Sequence, residues 1–538
     1  MVRRIFLIAT VVVLSLNVFI SLVFPPVWWS MVLFAPLIIV GFADMLQNKQ
    51  AVRRNFPLLG NFRYLMETIR PEINQYFVES NFSGRPFSRE ERSVVYQRAK
   101  GVIDTLPFGT QKNLYEVGAE WINHSMAPKE VDPKTMRITV GGPDCRQPYD
   151  CSLLNIGALS YGALSSNAIL ALNEGARMGN FAHNTGEGGI SRYHLAGGGD
   201  LIWQIGTGYF GCRAKDGKFS EKEYEEKVKM PSVKMIELKI SQGAKPSKGG
   251  LLPAAKVSKE IAQIRGIPQG QSAISPPGHT TFKTPVEMME FIAKLRDLSG
   301  GKPVGFKLCI GKRREFLSVC KAMLKTGITP DFIAVDGAEG GTGAAPLEFS
   351  NYIGCPLTEA LIFVHNSLIG TALRKKIKIF ASGRVTAGFG MIHKLAIGAD
   401  AIYSARGMML ALGCIQAIKC NTNKCPAGIT TQDPGLVVGL VVHDKNYRVS
   451  NFQKNTIKSL AELIGATGLS HPSQLRPWHI IRRINTTKIK HYGQIFKFLK
   501  EGALLTEPVP VHYERAWRVA SAETFSQKDM AETVSFGR

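Results

Sequence analysis

The feature that most constrains this chain is an alternation that begins near residue 152. Short runs rich in β-branched residues are followed by amphipathic stretches and glycine-rich joints. The runs are SLLNIGAL (152–159), NFAHNT (180–185), MIELKI (235–240), QSAIS (271–275), PVGFKLCI (303–310), DFIAVDG (331–337), IKIFASG (377–383) and DAIYSA (400–405). Helical patterns separate most of them. The clearest is TPVEMMEFIAKLRDLSG, where Thr284 is the expected N-cap, Pro285 the first helical residue and Glu287 the closing partner of a capping box. FLSVCKAMLKTG and AGFGMIHKLAIG are two more. Strands alternating with helices argue for a parallel sheet. Eight units in about 260 residues predict an α/β fold of the (β/α)₈ TIM barrel type, with a doubly wound open sheet as the rival. Residues 190–234 read as an insertion, glycine-rich first and charged later.

The first 45 residues follow different rules. Ile5 to Phe24 is an uncharged run long enough to span a bilayer. Pro25 and Pro26 interrupt it, and a second uncharged run, Val27 to Ala43, opens with Trp28 and Trp29. Arg3 and Arg4 precede the pair; Lys49, Arg53 and Arg54 follow it. The positive-inside rule then puts both ends in the cytoplasm and predicts a two-helix transmembrane anchor in the cytoplasmic membrane, with the rest of the chain facing the cytoplasm. A signal peptide is the competing reading, because RRIFL resembles a twin-arginine motif. No A-x-A site follows, however, and a second span comes at once. The formal charge is +24. The basic residues are scattered without an aromatic-plus-basic motif, so a membrane surface rather than nucleic acid is the expected partner.

In the layout expected from this pattern, residues 1–45 are the anchor and 46–135 a helical preface, with helix-like spacing in LLGNFRYLMETIRPEINQYF and SREERSVVYQRAKGVI. Residues 136–440 form the barrel with a cysteine loop, 441–506 pack as helices on its outside, and 507–538 are a loose tail.

A barrel site lies where the strands end. There the sequence places Glu187 in NTGEGG; Lys239, Gln242, Lys245 and Lys248 in KISQGAKPSKGG; and Lys307 within a strand. The last three strands open into DGAEGGTGAAP, ASGRVTAG and SARG. Gly340, Gly341, Gly343, Ser382, Gly383 and Gly407 there expose backbone N–H groups suited to a phosphate, or else serve tight turns. A lysine in an apolar strand needs an anionic partner. A reduced flavin edge is one candidate for Lys307 and a salt bridge at the barrel floor the other. The nine cysteines suggest no disulfide framework, and Cys145 and Cys151 read as structural. Cys414, Cys420 and Cys425 stand as C-x₅-C-x₄-C-P. That spacing fits an iron–sulfur cluster or three buried thiols, and lacks a nearby fourth ligand for zinc.

Taken together, GALSYGALSSNAI, NTGEGGISRY, KISQGAKPSKGGLLPAAKV, SPPGH, GFKL, VDGAEGGTGAAP, ASGRVTAG and GCIQAIKCNTNKCPAGITTQDP resemble the FMN-binding synthase domain of the glutamate synthase large subunit, in its short, stand-alone, membrane-anchored branch. The resemblance covers about residues 150–440. It implies a barrel binding FMN, a [3Fe–4S] cluster on Cys414, Cys420 and Cys425, and reductive amination of 2-oxoglutarate by ammonia, through 2-iminoglutarate, to L-glutamate. The enzyme class implied is an oxidoreductase acting on the CH–NH₂ group of donors. By motif, Glu187 and Lys245 would be catalytic. Gln242, Lys245 and Arg265 would hold the dicarboxylate, and Ser160, Lys307, Gly340, Gly341, Ser382, Gly383 and Gly407 the FMN. Lys248 stands where the family has an acid, beside Ser247, and Leu251 where it has a glutamine. With no glutaminase domain and no pyridine-nucleotide site in the sequence, ammonia and electrons are expected from a partner subunit or an electron-donor protein. The competing expectations are an FMN/Fe–S dehydrogenase of another α-amino or α-hydroxy acid feeding membrane quinones, and a non-catalytic electron-transfer subunit.

Overall fold

A computed structural model describes residues 2–526. The last part of the expected tail, 527–538, lies outside the described residues. The chain divides into two compact units, Met1–Arg89 and Glu90–Arg538.

In the first unit, helix Val2–Ser21 and the helical stretch Pro25–Leu46 are each long and apolar enough to cross a membrane. They are packed against each other. The Phe6 and Phe42 rings meet edge-on at 5.6 Å, and a Cβ on Gly41 would fall 2.1 Å from the Phe6 ring, so only glycine fits there. Several of their polar groups bond within the pair. Ser30 Oγ donates to Asn17 Oδ1 at 2.6 Å, and Thr10 Oγ1 to the Phe6 carbonyl at 2.9 Å. Helices Ala51–Asn55 and Leu59–Ile73 follow, the latter extended by a wide turn, Asn74–Val78.

The second unit is built on a closed barrel of eight parallel strands. They are β1 (Leu154–Ile156), β2 (His183–Asn184), β3 (Leu201–Ile205), β4 (Val233–Lys239), β5 (Val304–Leu308), β6 (Phe332–Asp336), β7 (Lys378–Ser382) and β8 (Ala401–Ser404). Each pairs with its neighbours in chain order, and β8 closes on β1 through Tyr403 opposite Asn155. The open-sheet alternative is thereby excluded. A hairpin of Arg137–Val140 and Tyr149–Ser152 closes one end of the barrel. Its Val140, Tyr149 and Cys151 pack with Phe332, Phe380 and Tyr403 in one buried cluster. The helix expected after Thr284 forms as read: Glu287 N donates to Thr284 Oγ1 at 3.1 Å, and Thr284 N to Glu287 Oε2 at 3.2 Å.

Two sequence expectations are corrected. QSAIS is not a barrel strand: Ala273–Ile274 pairs antiparallel with Leu251–Leu252 in a separate two-stranded piece. The missing strand is LIWQI, inside the stretch 190–234 read as an insertion, which also carries helix Glu221–Val228. All five residues of β3 are buried, so it has no alternation, and glycines on both sides masked it as a loop. The sixth to eighth strands keep their places in the count.

Outside the barrel, helix Val442–Ala466 lies along helix Ser166–Gly179, with contact close enough that a Cβ on Gly175 would sit 2.7 Å from Val449 Cγ1. Ile480–Arg483 pairs with both Glu120–Ile122 and Ile489–His491. The segment read as a tail carries helix Val511–Val519, anchored by Tyr513 stacked on Phe363 at 5.7 Å and by Lys321 over the Trp517 ring at 4.8 Å. Nine residues are too few turns for a clear period.

One buried ion pair ties several elements together. Asp331, 1% exposed, accepts from Arg296 Nε at 3.1 Å, from Gly142 N at 2.6 Å and from Val304 N at 2.7 Å. Asp331→Ala would take the nearest carboxylate from the Arg296 guanidinium, itself 4% exposed, leaving it Asp144 at 3.6 Å. The expected loss is about 3–5 kcal/mol of stability, read as a lower midpoint in chemical denaturation.

Candidate active site

The strands of this barrel carry charge inward at their C-terminal ends. Residues two apart on a strand face the same side, so Glu237 and Lys239 of β4 both point into the barrel with Lys307 of β5 and Asp336 of β6. Glu237 is fully buried and accepts from Asn184 Nδ2 at 2.8 Å and Gln204 Nε2 at 2.6 Å. Burial raises its pKa against the opposing pull of Lys307. Lys307 Nζ lies 3.3 Å from Asp336 Oδ2. Burial works against the charged lysine, yet Asp336 and Glu237 outweigh it and its pKa is raised. Lys307 is therefore a fixed cation, paired with Asp336 at the C-terminal ends of the strands and not at the barrel floor.

Glu187 sits in the turn Gly186–Gly188 after β2. Lys239 Nζ donates to its Oε1 at 2.6 Å, and Ser275 Oγ to its Oε2 at 3.3 Å. Burial pushes the carboxyl's pKa up, but Lys239, Arg265 and Lys245 together hold it below the usual value. The group is a carboxylate at neutral pH. Room for it is made by glycine: a Cβ at Gly250 would lie 2.2 Å from Oε1, and one at Gly206 2.6 Å from Oε2.

Lys245 and Arg265 reach the same place from different elements. Lys245, 2% exposed, donates to the Ala344 carbonyl at 2.7 Å. Burial, and then Lys239, press its pKa down to about 8. Arg265 ends helix Lys259–Arg265, donates to the Tyr161 carbonyl at 3.1 Å and lies over the Phe210 ring at 5.1 Å. Its buried Nε has no partner, and burial lowers its pKa to about 10. Three buried cations thus surround one carboxylate. Gln242 is half-buried in the same loop. That loop crosses the one after β6 where Gly243 N donates to Asp336 Oδ2 at 2.8 Å, and a Cβ on Gly243 would strike the Gly337 carbonyl at 1.7 Å.

The glycine loops close the other side. A Cβ at Gly341 would meet Arg406 Cδ at 2.6 Å, and one at Gly407 would meet Ser404 Oγ at 2.3 Å. Gly340 N bonds the Gly337 carbonyl at 2.9 Å, and the Ser382 carbonyl accepts from Gly337 N at 3.0 Å. A Cβ at Gly383 would lie 3.1 Å from Leu357 Cδ2, while Gly343 faces open space. Ser160 stands on the Glu187 side, its Cβ 2.9 Å from where a Cβ on Gly188 would be.

Cys414 begins the cysteine loop just after helix Arg406–Ala411, its N bonded to the Met409 carbonyl at 3.0 Å. Burial, with Cys420 and Cys425 adding to it, pushes the Cys414 thiol up to about 11. At Cys425 burial also acts upward, but hydrogen bonds from Thr430 and from the Ile429 and Ala427 N–H groups hold the thiol below its usual value. The loop's backbone is left-handed at Gln416, Ile418 and Asn423. Among the described residues no group of three or more His, Cys, Asp or Glu would hold a metal ion.

Three residues escaped the sequence reading. His279 Nε2 donates to the Lys239 carbonyl at 2.9 Å and its Nδ1 lies 3.1 Å from Tyr209 OH, with burial pressing its pKa to about 4. SPPGH marked a loop but gave no hint that its histidine backs Lys239. Arg406 donates to the Glu339 carbonyl at 2.6 Å from within the glycine loops. Lys256, 2% exposed, donates to the Cys420 and Thr430 carbonyls, each at 2.7 Å, and to that of Ala163 at 3.2 Å.

A conserved region in glutamate synthase matches residues 132–470. The chain belongs to the glutamate synthase family, and it is an enzyme of the oxidoreductase class. It is 37% identical to the glutamate synthase large subunit-like protein YerD of Bacillus subtilis (strain 168) over 82% of this chain and 91% of that one. It is 35% identical to the archaeal glutamate synthase [NADPH] of Methanocaldococcus jannaschii over 60% of each chain. Against the ferredoxin-dependent glutamate synthase of Antithamnion sp. it is 31% identical over 78% of this chain but only 27% of the relative. The match thus spans less than two thirds of the last two. Among solved structures, a flavocytochrome b2 mutant with pyruvate bound superposes with a TM-score of 0.41 at 13% identity, covering 78% of this chain and 85% of that one.

Gly250→Ala tests the packing around Glu187. The added methyl is expected to displace the carboxylate from Lys239 in a crystal structure, while stability falls by only about 1–3 kcal/mol in denaturant titration.

Proposed function

We propose that this protein reductively aminates 2-oxoglutarate to L-glutamate through 2-iminoglutarate, with FMN at the barrel mouth and a [3Fe–4S] cluster on Cys414, Cys420 and Cys425. The observation that carries this reading is the surplus of buried cations, Lys239, Lys245 and Arg265, around the lone carboxylate of Glu187. A dianionic substrate supplies the charge that balances them. The unpartnered Arg265 Nε and the Lys245 ammonium would hold its carboxylates, with Gln242 on the keto oxygen. Glu187, kept ionised by Lys239, carries two protons in turn from the nitrogen of the added ammonia to the former keto oxygen, which leaves as water.

The crowding at Gly341 and Gly407 supports a cradle of bare backbone for the FMN phosphate, completed by Gly340, Ser382 and Gly383. Ser160 and Lys307 would hold the rest, Lys307 as a permanent cation. The chemistry a bound FMN supplies here is hydride delivery to an imine carbon, and a cluster adds one-electron supply. The hairpin of residues 1–45 would anchor the enzyme in the cytoplasmic membrane with the barrel facing the cytoplasm. Ammonia and electrons would come from partner proteins.

The two membrane-length helices favour a second reading: dehydrogenation of another α-amino or α-hydroxy acid, with electrons passed to membrane quinones.

Anaerobically purified and reduced protein, given 2-oxoglutarate and ammonium, is expected to reoxidise its flavin and form glutamate. Reoxidation by quinone analogues alone would replace this reading with the second, and inertness to both would leave an electron-transfer subunit. Cys420→Ser should lose iron and cluster absorbance but keep flavin; unchanged iron content would refute the cluster. Lys245, depressed to about 8, loses its proton as pH rises through that value. Dicarboxylate binding should weaken above about pH 8, measured by flavin difference titration, and Lys245→Met should abolish that pH step while weakening binding at pH 7 by about 2–3 kcal/mol.

A further inference from the structure

Helix Leu59–Ile73, the second helix after the hairpin, has an apolar face with no partner among the described residues of its own unit. An α-helix advances about 100° per residue, which places Leu59, Phe62, Leu65, Met66, Ile69 and Ile73 within an arc of about 120°. Leu59 is 68% exposed, Phe62 64% and Leu65 54%, and Phe77 in the wide turn beyond is 84% exposed. The opposite face is fastened to the rest of its unit. Leu58 N donates to Asp44 Oδ2 at 3.1 Å, and Asn61 Nδ2 donates to the same oxygen. Arg53 covers the Tyr64 ring at 4.8 Å. Gly60 touches the neighbouring helix so closely that a Cβ would lie 2.8 Å from Arg53 Cα. The apolar stripe is what remains. Arg63 and Arg70, both exposed, border one edge, with Arg63 paired to Glu67 at 2.9 Å, and Glu72 borders the other.

We propose that helix Leu59–Ile73 and the turn Asn74–Val78 lie in the headgroup region of an anionic bilayer, apolar stripe inward. Width of stripe, Arg70 at its edge and a short chain connection to two membrane-length helices match an interfacial helix. The proposal is independent of the barrel's chemistry and rests on the hairpin reading only for the nearness of the bilayer.

The test uses the full chain in vesicles of phosphatidylglycerol and phosphatidylcholine, with photoreactive benzoylphenylalanine in place of Phe62, Phe77, Thr68 or Val12. Irradiation should give lipid adducts at positions 62 and 77 several-fold above position 68, and Arg63→Gln with Arg70→Gln should lower them several-fold. Adducts at position 12 but not at 62 or 77 would overturn the proposal and keep the anchor. Adducts of 62 and 77 with the chain's own peptides, or with a second copy, would overturn it in favour of a protein contact. Lipid adducts at 62 and 77 without any at 12 would uphold it and refute the anchor. No lipid adduct at any position would refute both.

Discussion

The interior of this barrel depends on pairing buried charge. Eight-stranded barrels are usually filled with branched apolar side chains. Here the lower layers obey that rule, with Phe332, Phe380 and Ala401 over the closing hairpin. Above them Glu237, Lys307, Asp336, Lys239 and Glu187 follow one another. Each would be costly to bury alone. Lys239 meets Glu187 at 2.6 Å and Lys307 meets Asp336 at 3.3 Å, and these contacts tie the Glu187 turn to β4 and β5 to β6. The column ends in excess positive charge at Lys245 and Arg265, so the same requirement that organises the interior also defines what the mouth can accept.

Glycine supplies the geometry this column needs. Gly206 and Gly250 press on the Glu187 carboxylate, and Gly243 lets the loops after β4 and β6 cross at a distance no methyl allows. The glycine runs that mark the site in the sequence are thus close approaches of backbone to charged side chains, as well as candidate phosphate contacts.

Much of the fold was legible from local chemistry. Seven of the eight strand positions, the Thr284 capping box and the late glycine loops follow from period, caps and composition. The miss at β3 has a definite cause: a fully buried five-residue strand between glycines has no alternation to detect, whereas QSAIS has a β-like pattern that is satisfied by Leu251–Leu252 instead. Glu187, Lys245 and Arg265 were named from motifs, and the structure brings them together. Lys239 was visible but unassigned, and His279 and Lys256 act through backbone carbonyls, which leave no trace in residue spacing.

Lys256 helps to join two regions, beside Asn423, whose Nδ2 donates to the Ala255 carbonyl at 3.2 Å. Its ammonium is bonded to the Cys420 and Thr430 carbonyls on one side, and its own backbone runs within a few residues into the helix that ends in Arg265. The cysteine loop and Arg265 are therefore mechanically in series. A remodelling of the one strains the fastening of the other, so the two share a single mechanical tolerance.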